Sequence, residues 1–127
     1  MKEYVAKRRL LPEGRASLML SNCKERAKKN KAKVTISWEW IVEKLKIGKC
    51  ELSNLSFDFL PASKGYANPY APSLDRIDSK NKNYTPENTR VVLQAVNMAI
   101  NEHGLNDIIP ILKALVDHQN NFVKNKG

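Results

Sequence analysis

Asp75, Asn97 and Asn101 are the residues whose types and spacing suggest chemistry. Asn97 and Asn101 are four apart, so on a helix both project from one side. One carboxylate with one or two amide carbonyls is a set of hard oxygen donors. Such a set suits Mg²⁺, Mn²⁺ or Ca²⁺ and leaves most coordination positions to water and substrate, a phosphate oxygen being the natural completing ligand. The same residue types serve equally as surface groups or local caps, so the chemistry depends on whether the fold brings Asp75 to Asn97.

The elements around them are readable. Ser73 to Asp78 alternates apolar and polar side chains, as a short strand does. Residues 79–83 are turn material, and Tyr84 to Asn88 forms a tight connection with a proline. Thr89 to Leu93 is β-branched enough for a second strand. A helix then runs from about Gln94 to His103, closed by Gly104. Val96 and Ile100 on its adjacent face can pack on the hairpin, which would carry Asp75 toward Asn97.

Upstream, Ala16, Met19, Leu20, Cys23 and Ala27 recur every three or four positions. They predict a helix over about Arg15 to Lys29, with Lys24, Arg26, Lys28 and Lys29 on its other face. Residues 1–13 read as an irregular basic arm punctuated by Pro12 and Gly14. Ser37 is a good N-cap for a second helix and Gly48 a good stop, with Trp38, Ile41, Val42 and Leu45 as its apolar stripe. The tryptophans read as core residues and Cys50 as a buried thiol in an otherwise loop-like stretch over 49–73. A last helix is expected to begin near Pro110 and to bury Ile111, Leu112, Leu115, Val116 and Phe122. The expected fold class is α+β, mostly helical. It is one domain over 1–127, with a basic helical part at 1–48, a hairpin–helix core at 49–104 and a C-terminal helix at 105–127.

Composition narrows the function. Residues 1–33 hold 11 basic and 3 acidic side chains, a net +8 of the chain's +9. A concentrated positive segment points to a polyanionic partner, most often nucleic acid. No apolar run reaches the roughly 20 residues of a membrane span, so no membrane partner is expected. Two cysteines 27 apart, without a Cys-x-x-Cys pair, exclude a disulfide framework and a structural four-cysteine zinc site; a reducing cytoplasm is the default.

Two runs together carry a resemblance. Asn68-Pro-Tyr-Ala-Pro-Ser-Leu-Asp-Arg-Ile-Asp-Ser is followed by Tyr84-Thr-Pro-Glu-Asn-Thr-Arg-Val-Val-Leu-Gln-Ala-Val-Asn97. They resemble the HNH (ββα-metal) endonuclease family, closest to small phage-type members. Cys50-Glu-Leu-Ser-Asn-Leu-Ser-Phe is similar to a "C-x-x-T-G-x-x-F" segment of the same proteins, with Ser53-Asn54 in place of Thr-Gly. The likeness covers about residues 50–101. It implies a ββα-metal core and one divalent ion, Mg²⁺ or Mn²⁺, held by Asp75 and Asn97, with Asn101 as a further polar ligand. Asn88 falls on the asparagine that ties the connecting loop together. Double-stranded DNA is the implied substrate, with Arg15, Lys24, Arg26, Lys28, Lys29 and Arg90 on flanking phosphates. A phage or mobile-element origin, with a bacterial host cytoplasm, is implied in the same way.

Arg76 is the departure from the family pattern. A general-base histidine should follow the metal-binding aspartate, and an imidazole near pKa 6.5 suits that work. A guanidinium does not deprotonate in water. Arg76 would instead clamp the scissile phosphate, with Tyr84 or metal-bound water handling the proton; or the activity is slow; or the domain is a retired nuclease kept for binding DNA. His103, six residues after Asn97, lies about 240° round the helix and off the ligand face, and His118 falls on the solvent side of the last helix. A module that binds an acidic protein is the third class. So small a chain has little room for a specificity module, so base selection is loose, or is supplied by a homodimer or a partner protein.

Overall fold

The computed structural model describes residues 7–61 and 67–126. The arm before residue 7 and positions 62–66 of the expected loop lie outside the described residues. The class is α+β. Four helices, α1 (Pro12–Lys29), α2 (Trp38–Ile47), α3 (Gln94–Ile100) and α4 (Leu105–Lys126), accompany one antiparallel hairpin of β1 (Pro72–Arg76) and β2 (Thr89–Leu93). No helix among the described residues is long and apolar enough to cross a membrane.

Helix α1 starts earlier than the sequence predicts. Pro12 does not break it but opens it, because a proline in the first turn has no orphan N–H to leave unpaired and a φ already set for helix. Gly14 belongs to that first turn. The chain at Arg8 folds back so closely that a Cβ on Gly14 would lie 2.0 Å from the Arg8 carbonyl oxygen. Helix α2 has the expected limits: Ser37 Oγ accepts from Trp40 N at 3.0 Å, and Gly48 closes the helix at φ +77°. Trp38 then locks the two helices at their starts, its indole N–H donating to Glu13 O and Ser17 Oγ, both at 3.1 Å.

The main core lies between these helices and one face of the hairpin. Ala16, Met19, Cys23 and Ala27 from α1 meet Ile41, Val42 and Leu45 from α2, together with Leu74, Tyr84 and Val91. Burial pushes the Cys23 thiol up to about 11. A second, smaller cluster of Cys50, Val92 and Leu93 sits under Val96 on the other side.

The free edge of β2 is closed by the segment after Gly48. Glu51 N donates to Val91 O at 3.0 Å, and Val91 N donates back to a Glu51 carboxylate oxygen whose partner oxygen holds Lys44 Nζ at 2.8 Å. Cys50 Sγ accepts from Ser53 N and Leu93 N at 3.4 and 3.3 Å. Burial raises the pKa of that thiol, but these bonds outweigh it and hold the group below its ordinary value.

Three other expectations need correction. Strand β1 ends at Arg76 rather than Asp78, because the Asn88 side chain takes over the Asp78 N–H at 2.9 Å. Helix α3 ends at Ile100 rather than His103, since Asn101 turns to φ +47°, a conformation asparagine tolerates better than most residues. Helix α4 begins at Leu105, just after Gly104 at φ +86°, and carries Pro110 inside it. Pro110 there removes one backbone bond and crowds the carbonyl of Asn106 one turn earlier. The burial expected on α4 is absent: Ile111, Leu112, Leu115, Val116 and Phe122 are 41–63% exposed.

Removing the Glu51 carboxylate strands the N–H of Val91, a residue with no exposed surface. Glu51→Ala is expected to cost about 2 kcal/mol, the order of one buried unsatisfied donor, and thermal melting would read this as a Tm lower by roughly 5–10 °C. Glu51→Gln, which keeps an acceptor and loses only an exposed ion pair, is expected to melt within about 0.5 kcal/mol of the parent.

Candidate functional site

Hairpin register fixes the first contact of the site. Asp75 stands opposite Arg90 and Arg76 opposite Thr89. Neighbouring residues on a strand point to opposite faces. Asp75, 5% exposed, therefore looks the same way as Ser73, and its Oδ2 accepts from Arg90 Nε at 2.6 Å with Arg90 only 16% exposed. Arg76 turns to the other face, where its guanidinium lies 5.5 Å from the centre of the Tyr84 ring. Arg76 Nη1 is buried without a hydrogen-bond partner.

Helix α3 follows β2 without a loop and so lies directly against the hairpin. Asn97 Nδ2 donates to Ser73 Oγ at 2.8 Å and to Leu74 O at 3.1 Å. The carbonyl partner fixes the amide's orientation, because a carbonyl oxygen only accepts. Both donors are thereby committed to β1 and the amide oxygen is left to face other groups.

Tyr84 is the other fixed point. Its ring is 5% exposed, its hydroxyl accepts from Arg26 Nε at 3.3 Å, and Arg26 also lies 5.9 Å over the ring. Arg26 from α1 and Arg76 from β1 are thus held against the same phenol. Asn88, 6% exposed, pins the loop between the strands. Its Oδ1 accepts from Asp78 N, and its Nδ2 donates to Asn81 O and Asn83 O, both at 3.0 Å.

Together these pieces surround one open cleft of about 930 Å³. Arg26, Arg76, Lys80 and Lys82 line it against Asp75 and Glu102, with Ser73, Tyr84, Asn97 and Asn101 among the neutral walls. Four cations against two carboxylates favour an anionic occupant. The donor set suits a hard divalent ion in kind, since Asp75 and Asn97 both line the cleft. A single carboxylate already paired to Arg90 would hold such an ion weakly until a phosphate supplied the remaining charge. Among the described residues no three His, Cys, Asp or Glu side chains gather into a metal cluster.

Not every residue singled out in the sequence comes to this cleft. Asn101 lines it, but as the residue capping α3 rather than one turn farther along the helix. Arg15 is spent elsewhere: it donates to the carbonyls of Phe59 and Arg9 and stacks 5.6 Å from the Phe59 ring. Burial lowers its pKa first, and Arg9 nearby adds to the effect. Lys24 borders a separate small cavity beside Trp38, while Lys28 and Lys29 are exposed on the last turn of α1. Arg90 is the partner of Asp75 rather than a free cation. His103 and His118 are exposed and neither lines the cleft.

Lys80 and Lys82 were hidden in the sequence as turn material. The signal for them was available in their position, two lysines in the loop that joins the strand of Asp75 to Asn88. Opposite charges at facing positions of a predicted hairpin would likewise have paired Asp75 with Arg90. No family model matches this chain, and no curated protein or solved structure matches it either.

Asn88→Ala removes an acceptor and two donated bonds at once in a buried position. It is expected to lower stability by about 2–3 kcal/mol and to speed hydrogen exchange at the Asp78 amide, measured by melting and by NMR. Asn88→Asp should not rescue, because a carboxylate would face the Asn81 and Asn83 carbonyls without a proton to offer them.

Proposed function

We propose that this chain is a DNA-binding phosphodiesterase of the HNH (ββα-metal) type, an endonuclease or nickase that works with one divalent ion, Mg²⁺ or Mn²⁺. The observation that carries the proposal is the orientation of Asn97. Its amide donors are held by Ser73 and Leu74, which leaves an oxygen donor on the cleft that Asp75 and four basic side chains also line. The match of residue types to the family's motif points the same way.

Asp75 and Asn97 would hold the ion, which when bound supplies charge stabilisation to the leaving oxygen of a phosphodiester. Arg90 orients the Asp75 carboxylate. Arg76 is braced against Tyr84 and lines the cleft, so its guanidinium is placed to donate to a non-bridging phosphate oxygen. Arg26, Lys80 and Lys82 grip the flanking backbone, which positions DNA without specifying its sequence. Arg76 takes no proton at neutral pH, and water activation therefore lacks the assistance, about 10²–10⁴-fold, that a positioned base supplies. The expected activity is slow.

A second reading is favoured by a specific observation: neither imidazole lines the cleft, and the aspartate is tied to an arginine. This is a degenerate HNH-type fold kept for binding DNA, as a regulator or repressor.

Conversion of supercoiled plasmid to open circle separates them. With Mg²⁺ or Mn²⁺, cutting is expected that EDTA abolishes and that Asp75→Asn and Asn97→Ala each reduce at least about 100-fold, while both variants stay folded by circular dichroism. Salt-sensitive DNA binding that both variants retain, with no cutting by the parent, would establish the binding protein instead.

A further inference from the structure

Among the described residues, helix α4 carries an apolar stripe that joins neither core cluster. Along it Ile108, Leu112, Leu115, Val116 and Val123 recur at spacings of three and four or their sums, with Gln119 the polar member of the stripe. Leu112, Leu115, Val116 and Val123 are 41–67% exposed, and no residue of α4 enters either core cluster. A sustained stripe of this kind on a helix facing water is a seam for another helix.

The pattern accommodates a second copy of the same helix. Reflected about the midpoint between Leu115 and Val116, Leu115 falls onto Val116 and Ile108 onto Val123, both apolar pairs, while Leu112 falls onto the polar Gln119. A two-fold interface requires this relation, because residue i of one copy meets j of the other while j meets i. Charge agrees. In a chain of net +9, the only Lys, Arg, Asp or Glu residues between 108 and 123 are Lys113 and Asp117, which pair with each other at 2.9 Å. Two copies of this face approach without the repulsion the rest of the molecule would bring. The 22 residues of α4 span roughly 33 Å, a length over which a helix pair can bury on the order of 1,000 Å² in total, the lower bound for a specific interface.

We propose that α4 pairs antiparallel with α4 of a second copy of this chain, forming a two-fold dimer. Gln119 then faces the partner's Leu112, a polar position of the sort that penalises shifted registers. The helix is joined to the cleft through the turn at Asn101 and Glu102, both of which line it. Pairing therefore couples two basic clefts in one particle, suited to two segments of nucleic-acid backbone. The inference stands whether or not the cleft is catalytic.

Sedimentation of the full chain at low and high micromolar concentration tests it. A dimer is expected, with Leu112→Glu/Val116→Glu giving a monomer whose core melts at the parental temperature. The double variant Ile108→Cys/Val123→Cys is expected to form a disulfide-linked dimer on mild oxidation, since each new thiol faces the other position on the partner and the native Cys23 and Cys50 are buried. The single cysteine variants should remain unlinked. A parent that stays monomeric throughout, as it would if a different protein covers this face, overturns the proposal. So does a dimer that survives Leu112→Glu/Val116→Glu, or single cysteine variants that crosslink as readily as the double one.

Discussion

One buried tyrosine joins the helical half of this protein to its hairpin. The backbone of Tyr84 donates to Lys33 O at 2.9 Å and accepts from Thr35 N and Ile36 N, which binds the loop between the strands to the connection between α1 and α2. Its ring is part of the main core, and its hydroxyl and face hold Arg26 and Arg76. One side chain thus satisfies packing, backbone pairing and the placement of two cations. Moving it would open the core and scatter the positive wall of the cleft together, so the charge pattern of the site is inherited from core packing rather than added to it.

The opposite wall is built on the same economy. Ser73 and Leu74 serve the strand and also orient Asn97, while Arg90 serves both the ladder and Asp75. Asp75 and Arg90 are a mostly buried pair, and removal of either member would leave the other as an uncompensated charge. Arg76 is different in kind. Its Nη1 is buried without a partner, so the guanidinium is held there by packing against Tyr84 rather than by an ion pair.

Much of this was legible in residue order, and the failures have physical causes. Strand β2 and helix α2 carry their own limits, through β-branched residues in one and Ser37 and Gly48 in the other. Asn88 was singled out through the family resemblance alone, and its bonds to Asp78, Asn81 and Asn83 are what tie the loop. Pro12 misled because the same ring that breaks a helix inside can open one at its start. Arg15 misled because charge alone does not tell a solvated cation from one stacked on Phe59. On α4 the periodicity was right and the inference of burial wrong. A period states that a face is apolar, and it is silent on whether the covering surface belongs to the same chain.

A two-stranded ribbon ordinarily exposes two rows of unpaired amides and carbonyls, which makes it a template for runaway strand addition. Here both margins are blocked by side chains. Glu51 and Cys50 occupy the outer groups of Val91 and Leu93 on β2. On β1, Asn97 takes the carbonyl of Leu74, and Pro72 has no N–H to offer. Asn97, which lines the cleft, is thus also a guard against fibre growth, so exchanging it for an apolar residue would free the Leu74 carbonyl and leave a stickier ribbon. Selection against aggregation alone would then be enough to keep an amide at position 97.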